Sequence, residues 1–221
     1  MMAFDTERAR FNMVEQQIRP WDVLDKRVLD TLFKIPREQF VPAEQRQFAF
    51  SDTALPIGHG ETMLPPVVEG RILQSLAVAP NERVLEIGTG SGFFTACLAH
   101  LGQSVHSVDI HPDFTQSAAE KLAELNIDRV VLETGDAVNG WASNERFDVI
   151  VLTGAVQRIP ESYRQQLNVG GRLFAIVGSE QNMSGIMITR QANDQFDTQN
   201  LFETHTRYLK GAEPKPQFSF A

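Results

Sequence analysis

A single cysteine, Cys97, stands in the 221 residues. One thiol cannot close an intrachain disulfide, so the fold must rest on its core, and a reducing compartment is expected. Long apolar runs are missing too: no stretch approaches the roughly 18 apolar residues of a membrane span. Residues 1–11 are polar and mixed in charge, without the apolar centre of a secretion signal. The expectation is therefore a cytoplasmic protein with no membrane partner. Basic residues are in the minority, 20 against 28 acidic, for a net charge of −8. They are also interleaved with acids, as in Glu7-Arg8-Ala9-Arg10 and Arg37-Glu38, which leaves no basic stripe for a phosphate backbone. A protein, peptide or small-molecule partner is expected in place of a nucleic acid. The five histidines show no metal-ligand spacing, so no metal is expected, and nothing in the pattern fixes an oligomeric state.

Hydrophobic residues at 42% and charged residues at 22% suit one α/β domain of this length, with or without a cap. The first third has a helical texture. Phe11, Val14 and Ile18 recur at helical spacing over residues 5–18, and Asp25 can cap a second helix that buries Val28, Leu29, Leu32 and Phe33 before Pro36 ends it. Phe40-Val41-Pro42 and residues 55–60 read as ordered loop or extended chain, and Pro65-Pro66 leads into another helical pattern. From residue 83 strands and helices alternate: strands over 83–87, 104–110, 129–134, 147–152 and 172–177, helices over 91–101, 112–125 and 160–167. That order predicts a parallel sheet covered on both faces. Residues 185–190 and 202–208 look like strands pairing antiparallel at its edge, and residues 214–221 like a loose tail. The expected architecture is a Rossmann-like, doubly wound α/β fold with a mostly parallel sheet, an antiparallel C-terminal edge and an N-terminal helical cap. Residues 1–78 would form the cap and a lid loop, residues 79–221 the Rossmann-like domain, and the two one compact unit.

The strand at 83–87 runs directly into Gly88-Thr89-Gly90-Ser91-Gly92, and a helix follows. Glycines there permit positive φ and let backbone approach a ligand, while the helix start offers free N–H groups. Asp109 lies 21 residues after Gly88, at the end of the next strand, where an acid can accept hydrogen bonds from a ribose diol. Three readings stand: a tight turn without a ligand, a dinucleotide site, and a site for S-adenosylmethionine (SAM). The spacing is G-x-G-x-G, with Phe93 where a dinucleotide fold would place its third glycine. Glu86 just ahead of the turn suits a cationic amino acid better than a pyrophosphate. Both features favour SAM. Gly135-Asp136 follows the third strand, within reach of an adenine amino group, and Ile110 and Ala137 complete the expected cofactor wall. Asp148 at the start of the fourth strand is either a capping acid or functional.

The chain resembles the protein-L-isoaspartate O-methyltransferase family. The resemblance rests on Met13-Val14-Glu15-Gln16-Gln17-Ile18-Arg19, Pro36-Arg37-Glu38-Gln39-Phe40-Val41-Pro42, Leu55-Pro56-Ile57-Gly58-His59-Gly60, the stretch from Val84 to Gly92, Gly135-Asp136 with Gly140-Trp141, Phe147-Asp148-Val149-Ile150-Val151, and Gly170-Gly171-Arg172-Leu173. The Gly-rich motif marks SAM-dependent methyltransferases at large; the N-terminal stretches are specific to this family. The resemblance implies transfer of a methyl group from SAM, with S-adenosyl-L-homocysteine as product, to the carboxylate that isoaspartate leaves free in damaged proteins. The ester then cyclises to a succinimide, whose hydrolysis returns some normal aspartate. It also implies a lid made of the N-terminal helices and the loop 56–66. Members of the family usually carry Thr-Ile-Ser in that loop; this chain reads Thr62-Met63-Leu64, so a leucine stands where the serine beside the methyl-transfer centre is expected.

A carboxylate acceptor is already ionised at neutral pH and a thioether leaves without an acid, so alignment and exclusion of water are what such an enzyme must supply. This accounts for a sequence without a triad or paired carboxylates. The candidate acceptor-side residues are His59, Thr62 and Leu64. The candidate cofactor residues are Glu86, Gly88, Thr89, Gly90, Ser91, Gly92, Asp109, Ile110, Gly135, Asp136 and Ala137. Cys97, Trp21 and Trp141 read as packing residues. Two alternatives stay open: the same fold with another acceptor, and a SAM-binding protein without catalysis.

Overall fold

The computed structural model describes residues 5–141, 145–192 and 195–214. The chain starts with helix α1 (Thr6–Asn12), whose Arg8 N–H is capped by the Asp5 carboxylate at 3.0 Å, and continues through a π-helical stretch, Met13–Ile18. The wider π turn changes which side faces inward: Met13, Val14 and Ile18 are buried, while Phe11, expected inside, is 51% exposed. Helix α2 (Lys26–Lys34) begins at Asp25, whose carboxylate accepts the Arg27 N–H, and stops at Ile35, held extended by the following proline. Val28, Leu29 and Leu32 are buried, but Phe33 points outward. Trp21 is exposed as well, which corrects its reading as a packing residue.

A short helix α3 (Arg37–Phe40) occupies part of the expected loop. The segment 55–60 opens an antiparallel hairpin, β1 (Leu55–Gly58) and β2 (Glu61–Met63), with Leu55 opposite Met63. Helix α4 (Pro66–Leu76) follows, with proline at its first position. Then come β3 (Arg83–Ile87), α5 (Phe93–Leu101), β4 (Ser104–Asp109), α6 (Pro112–Glu124), β5 (Val130–Thr134), β6 (Phe147–Val156), α7 (Glu161–Gln165), β7 (Leu167–Ser179), β8 (Asn182–Arg190) and β9 (Phe196–Glu203).

Among the described residues seven strands form one sheet, in the order β5-β4-β3-β6-β7-β8-β9. The pairs from β5 to β7 are parallel; β7–β8 and β8–β9 are antiparallel. This is the expected mostly parallel sheet with an antiparallel edge. The last strand differs: it covers residues 196–203, not 202–208, because β9 pairs along almost the whole of β8. Residues 204–209 leave the sheet edge, and Tyr208 makes a single parallel bridge to Ala155 at the far end of β6. Of the expected tail 214–221, all but Pro214 lies outside the described residues.

Strand alternation sorts the core. Val84, Val105, Val149, Val151 and Phe174 face the cap helices, α4 and α5 in one continuous apolar cluster. Leu85, Val108, Ile150, Leu152 and Leu173 face the other way, with Tyr163 of α7. The cap therefore shares its core with one face of the sheet. Asp148 accepts the Arg83 N–H at 2.9 Å and the Asn168 amide at 2.7 Å, a structural role at the strand start. Because β3 and β6 are neighbours while their connections run to opposite sides, a crevice opens at the carboxyl ends of these strands, where ligands bind open α/β sheets.

Candidate cofactor and acceptor cleft

The crevice is a cleft of about 870 Å³, open solvent included, lined by the Gly-rich turn, the ends of β4, β5 and β6, the β1–β2 hairpin and residues 206–210. The turn is built from three glycines at positive φ: Gly88 at 101°, Gly90 at 51° and Gly92 at 86°. At two of them a side chain has no room. A Cβ on Gly88 would fall 2.3 Å from the Thr153 hydroxyl, which donates to the Gly88 carbonyl at 2.7 Å, and one on Gly92 would fall 2.9 Å from the Ala118 Cβ of α6. Asp109 ties the turn to β4: one carboxylate oxygen accepts the Gly90 N–H at 2.8 Å, the other the His111 N–H at 2.9 Å. Asp136 is exposed on the wall and accepts the Val138 N–H at 3.0 Å. Gly135 sits beneath the Trp141 ring, which would meet a Cβ at 2.7 Å.

Gly88, Thr89, Gly90, Ser91, Asp109, Ile110, Gly135, Asp136 and Ala137 line this cleft, as do Thr62 and Leu64. Three expected site residues do not. Gly92 stands behind the wall, as the first residue before α5, packed on α6. Glu86 points to the cap side of the sheet, corrected from its expected place beside a cationic ligand. It is fully buried; one oxygen accepts hydroxyls from Thr95 at 2.5 Å and Ser107 at 2.6 Å, and the other has no partner among the described residues. Burial, reinforced by the Asp109 and Glu69 carboxylates and opposed by the two hydroxyls, pushes its pKa up to about 8.

His59 is the third correction. It occupies the hairpin tip with φ 53°, a conformation that swings the ring outward onto α6. There it meets Asp113 at 2.8 Å and stacks on His111, with ring centroids 4.1 Å apart. Ligand atoms of His59, His111 and Asp113 lie within 4.8 Å of one another, a grouping hidden in the sequence by a separation of over fifty residues. The near-parallel rings aim their in-plane lone pairs side by side, not at one point.

Several wall residues were not anticipated. Arg37 is fully buried beneath the lid. Its guanidinium donates to the Ala49 carbonyl at 2.9 Å, to the Leu64 carbonyl at 2.7 Å and to Glu69 of α4, and it lies over the Phe93 ring. Glu69 lines the cleft, and burial, opposed by Arg37, pushes its pKa up to about 7. Cys97 is buried nearby on α5, its thiol pKa raised by that burial. The segment after β9 closes the remaining side. Ala155 N–H donates to the Arg207 carbonyl at 2.8 Å, and Leu209 N–H to the Ala155 carbonyl at 2.9 Å, which lays Leu209 against Gly88 and Gly154. Only a strand signal marked this region; its return to β6 depends on a bridge between residues over fifty apart.

The family model for protein-L-isoaspartate(D-aspartate) O-methyltransferase matches residues 8–212. Protein-L-isoaspartate O-methyltransferase 2 of Anaeromyxobacter sp. (strain Fw109-5) is 42% identical over 176 residues, 80% of this chain and 72% of the relative. The protein-L-isoaspartate O-methyltransferase of Gloeobacter violaceus is 36% identical over 93% of this chain and 99% of its own. Two solved structures share the fold. One protein-L-isoaspartate O-methyltransferase superposes with TM-score 0.78 at 22% identity, over 90% of this chain and 65% of that one. A Plasmodium falciparum protein described by the same activity, in complex with S-adenosyl-L-homocysteine, superposes with TM-score 0.79 at 19% identity, over 94% and 99%. Among the described residues no helix is long and apolar enough to cross a membrane.

Proposed function

This chain belongs to the protein-L-isoaspartate(D-aspartate) O-methyltransferase family, and from that premise we propose how its cleft divides the work of a SAM-dependent transfer to isoaspartyl carboxylates of proteins. The enzyme uses SAM as methyl donor and acts on protein substrates. The readings with another acceptor, or without catalysis, have no support among these relatives.

The residues present fit the cofactor. A strand-end acid, an open glycine turn and an exposed acid beyond β5 line one continuous wall, and this arrangement is the observation that carries the reading. Asp109 is the residue for the ribose diol, and the turn from Gly88 to Ser91 presents backbone to the amino acid portion. Ile110 and Ala137 would hold the base, and Asp136 would accept a hydrogen bond from its amino group. When bound, SAM supplies a methyl group on a sulfonium, and the neutral thioether of S-adenosyl-L-homocysteine departs. The protein's own contribution is placement. Thr62 and Leu64 of the lid face the acceptor, Arg37 fixes the Leu64 backbone from below, and residues 206–210 wall off the opposite side. Of the segment 1–78, the described residues from Asp5 onward serve as the cap and lid over the cofactor domain. His59 acts from outside the cleft by pinning the hairpin tip to α6. Leu64 is 6% exposed and offers no hydroxyl, so the acceptor end is more apolar than a serine would make it, and a carboxylate is harder to desolvate there.

The test is to incubate the pure protein with methyl-labelled SAM and an isoaspartyl peptide beside its aspartyl twin. Base-labile label on the isoaspartyl peptide alone is expected. SAM binding without transfer to that peptide would overturn the acceptor assignment.

A further inference from the structure

Two cations on the cleft wall are left unanswered by the protein itself. Arg207 and Lys210 line the cleft and are exposed, and among the described residues neither side chain makes a hydrogen bond or an ion pair. The carboxylates that share the wall are accounted for elsewhere: Glu69 on Arg37, Asp109 on two backbone N–H groups, Asp136 on a third. Among the described residues of the wall, Glu61 on β2 is the one carboxylate without a hydrogen bond or ion pair. Its carboxyl feels the charges of Lys210 and Arg207 and, against them, that of Asp109, and among the described residues it forms an ion pair with neither cation. The chain that carries them is anchored: the backbones of Arg207 and Leu209 are bonded to Ala155, and the Tyr208 hydroxyl donates to the Gly178 carbonyl at 2.9 Å. In a chain with net charge −8, two cations without a side-chain partner on one cleft wall attract anions to that point.

We propose that Arg207 and Lys210 form a subsite for an acidic group flanking the isoaspartyl residue, so that this enzyme prefers acceptors with an acidic neighbour. The inference rests on the reading that the acceptor enters between the hairpin and residues 206–210. The carboxylates of Glu61, Asp109 and Asp136 share this wall and oppose the two cations, which sets an upper limit on the preference. Rim charges of this kind act through encounter and are weakened by salt.

The experiment uses three isoaspartyl peptides that differ only in the following residue: glutamate, glutamine or lysine. Affinities are measured by calorimetry on protein saturated with S-adenosyl-L-homocysteine, and turnover is measured with SAM. The expected affinity order is glutamate, then glutamine, then lysine, compressed as salt rises. In the double variant Arg207→Gln/Lys210→Gln, the Kd for the glutamate peptide rises about fivefold, as expected for two exposed ion pairs, and the order flattens. Glu61→Gln tightens the glutamate peptide further. Affinity for S-adenosyl-L-homocysteine stays unchanged, which also reports that the variants fold. Equal affinities for the three peptides would overturn the proposal. So would an equal loss for all three in the double variant, or weakened S-adenosyl-L-homocysteine binding, which would give the cations to the cofactor's own carboxylate. An intact charge order in binding with no turnover on any peptide would sink the isoaspartyl reading and leave the subsite standing.

Discussion

The two sides of the cleft are made in different ways. The cofactor side repeats one geometry: Gly88 to Ser91 follow β3, Asp109 ends β4 and Asp136 lies just past β5, and the two carboxylates accept backbone N–H groups. The acceptor side is long-range. It joins Arg37 to Glu69 and Leu64, the hairpin to α6, and residues 207–209 to β6. A sheet edge repeats its geometry whatever the side chains are, whereas the acceptor side depends on particular long contacts. Substitution should therefore hurt the two sides differently.

The largest effect is expected at Arg37. Arg37→Met leaves Glu69 buried without its partner and removes the donors to two carbonyls, so urea unfolding should show a loss of about 3–5 kcal/mol. The double variant Arg37→Met/Glu69→Leu should recover most of that loss, because a neutral apolar pair has no charge to desolvate. A double variant as unstable as the single one would mean that the donors to Ala49 and Leu64 dominate.

A second test sharpens the comparison through pH. Glu86 and Glu69 hold their protons more tightly in the fold than in the unfolded chain, where both start from 4.5, with folded values of about 8 and about 7. Between these limits the folded state binds the extra protons, so stability falls as pH rises through the window. Glu86→Gln should match the parent at about pH 4 and exceed it by a few kcal/mol near pH 9. Parallel pH curves for the two proteins would contradict the buried, protonated carboxyl.

Leu64→Ser comes next. One added hydrogen bond near the reacting atoms, worth about 0.5–1.5 kcal/mol, should raise kcat on the isoaspartyl peptide roughly two- to twelvefold, with SAM affinity unchanged. A change confined to SAM affinity would move residue 64 to the cofactor side. The smallest effect belongs to His59→Ala. Its partner Asp113 is exposed, so stability should shift by less than about 1 kcal/mol and kcat by less than about twofold; a large loss of kcat would restore His59 to the reacting centre.

The same contrast explains what could be read in advance. Alternating strands and helices, the antiparallel edge, the Asp25 cap and the prolines opening α4 and α6 follow from local pattern, and the structure contains all of them. Misplacements came where packing overrode pattern. The π stretch at Met13–Ile18 turned Phe11 outward, and pairing along β8 drew β9 forward by six residues. For Glu86, strand parity decided: its neighbours Leu85 and Ile87 face one side of the sheet, so its own side chain goes to the other, under Thr95. Arg37 and Glu69 gave no local signal, because a buried ion pair between residues 32 apart is visible only once the helices are packed.

The division of the cleft is tested most directly at Asp109. Asp109→Asn keeps the shape of the side chain and one acceptor oxygen but loses the charge offered to a ribose diol. Calorimetry should show SAM binding at least about tenfold weaker, while the isoaspartyl peptide, titrated into protein saturated with S-adenosyl-L-homocysteine, binds as before. Unchanged SAM affinity, or equal losses for SAM and peptide, would contradict a cleft with separate cofactor and acceptor sides.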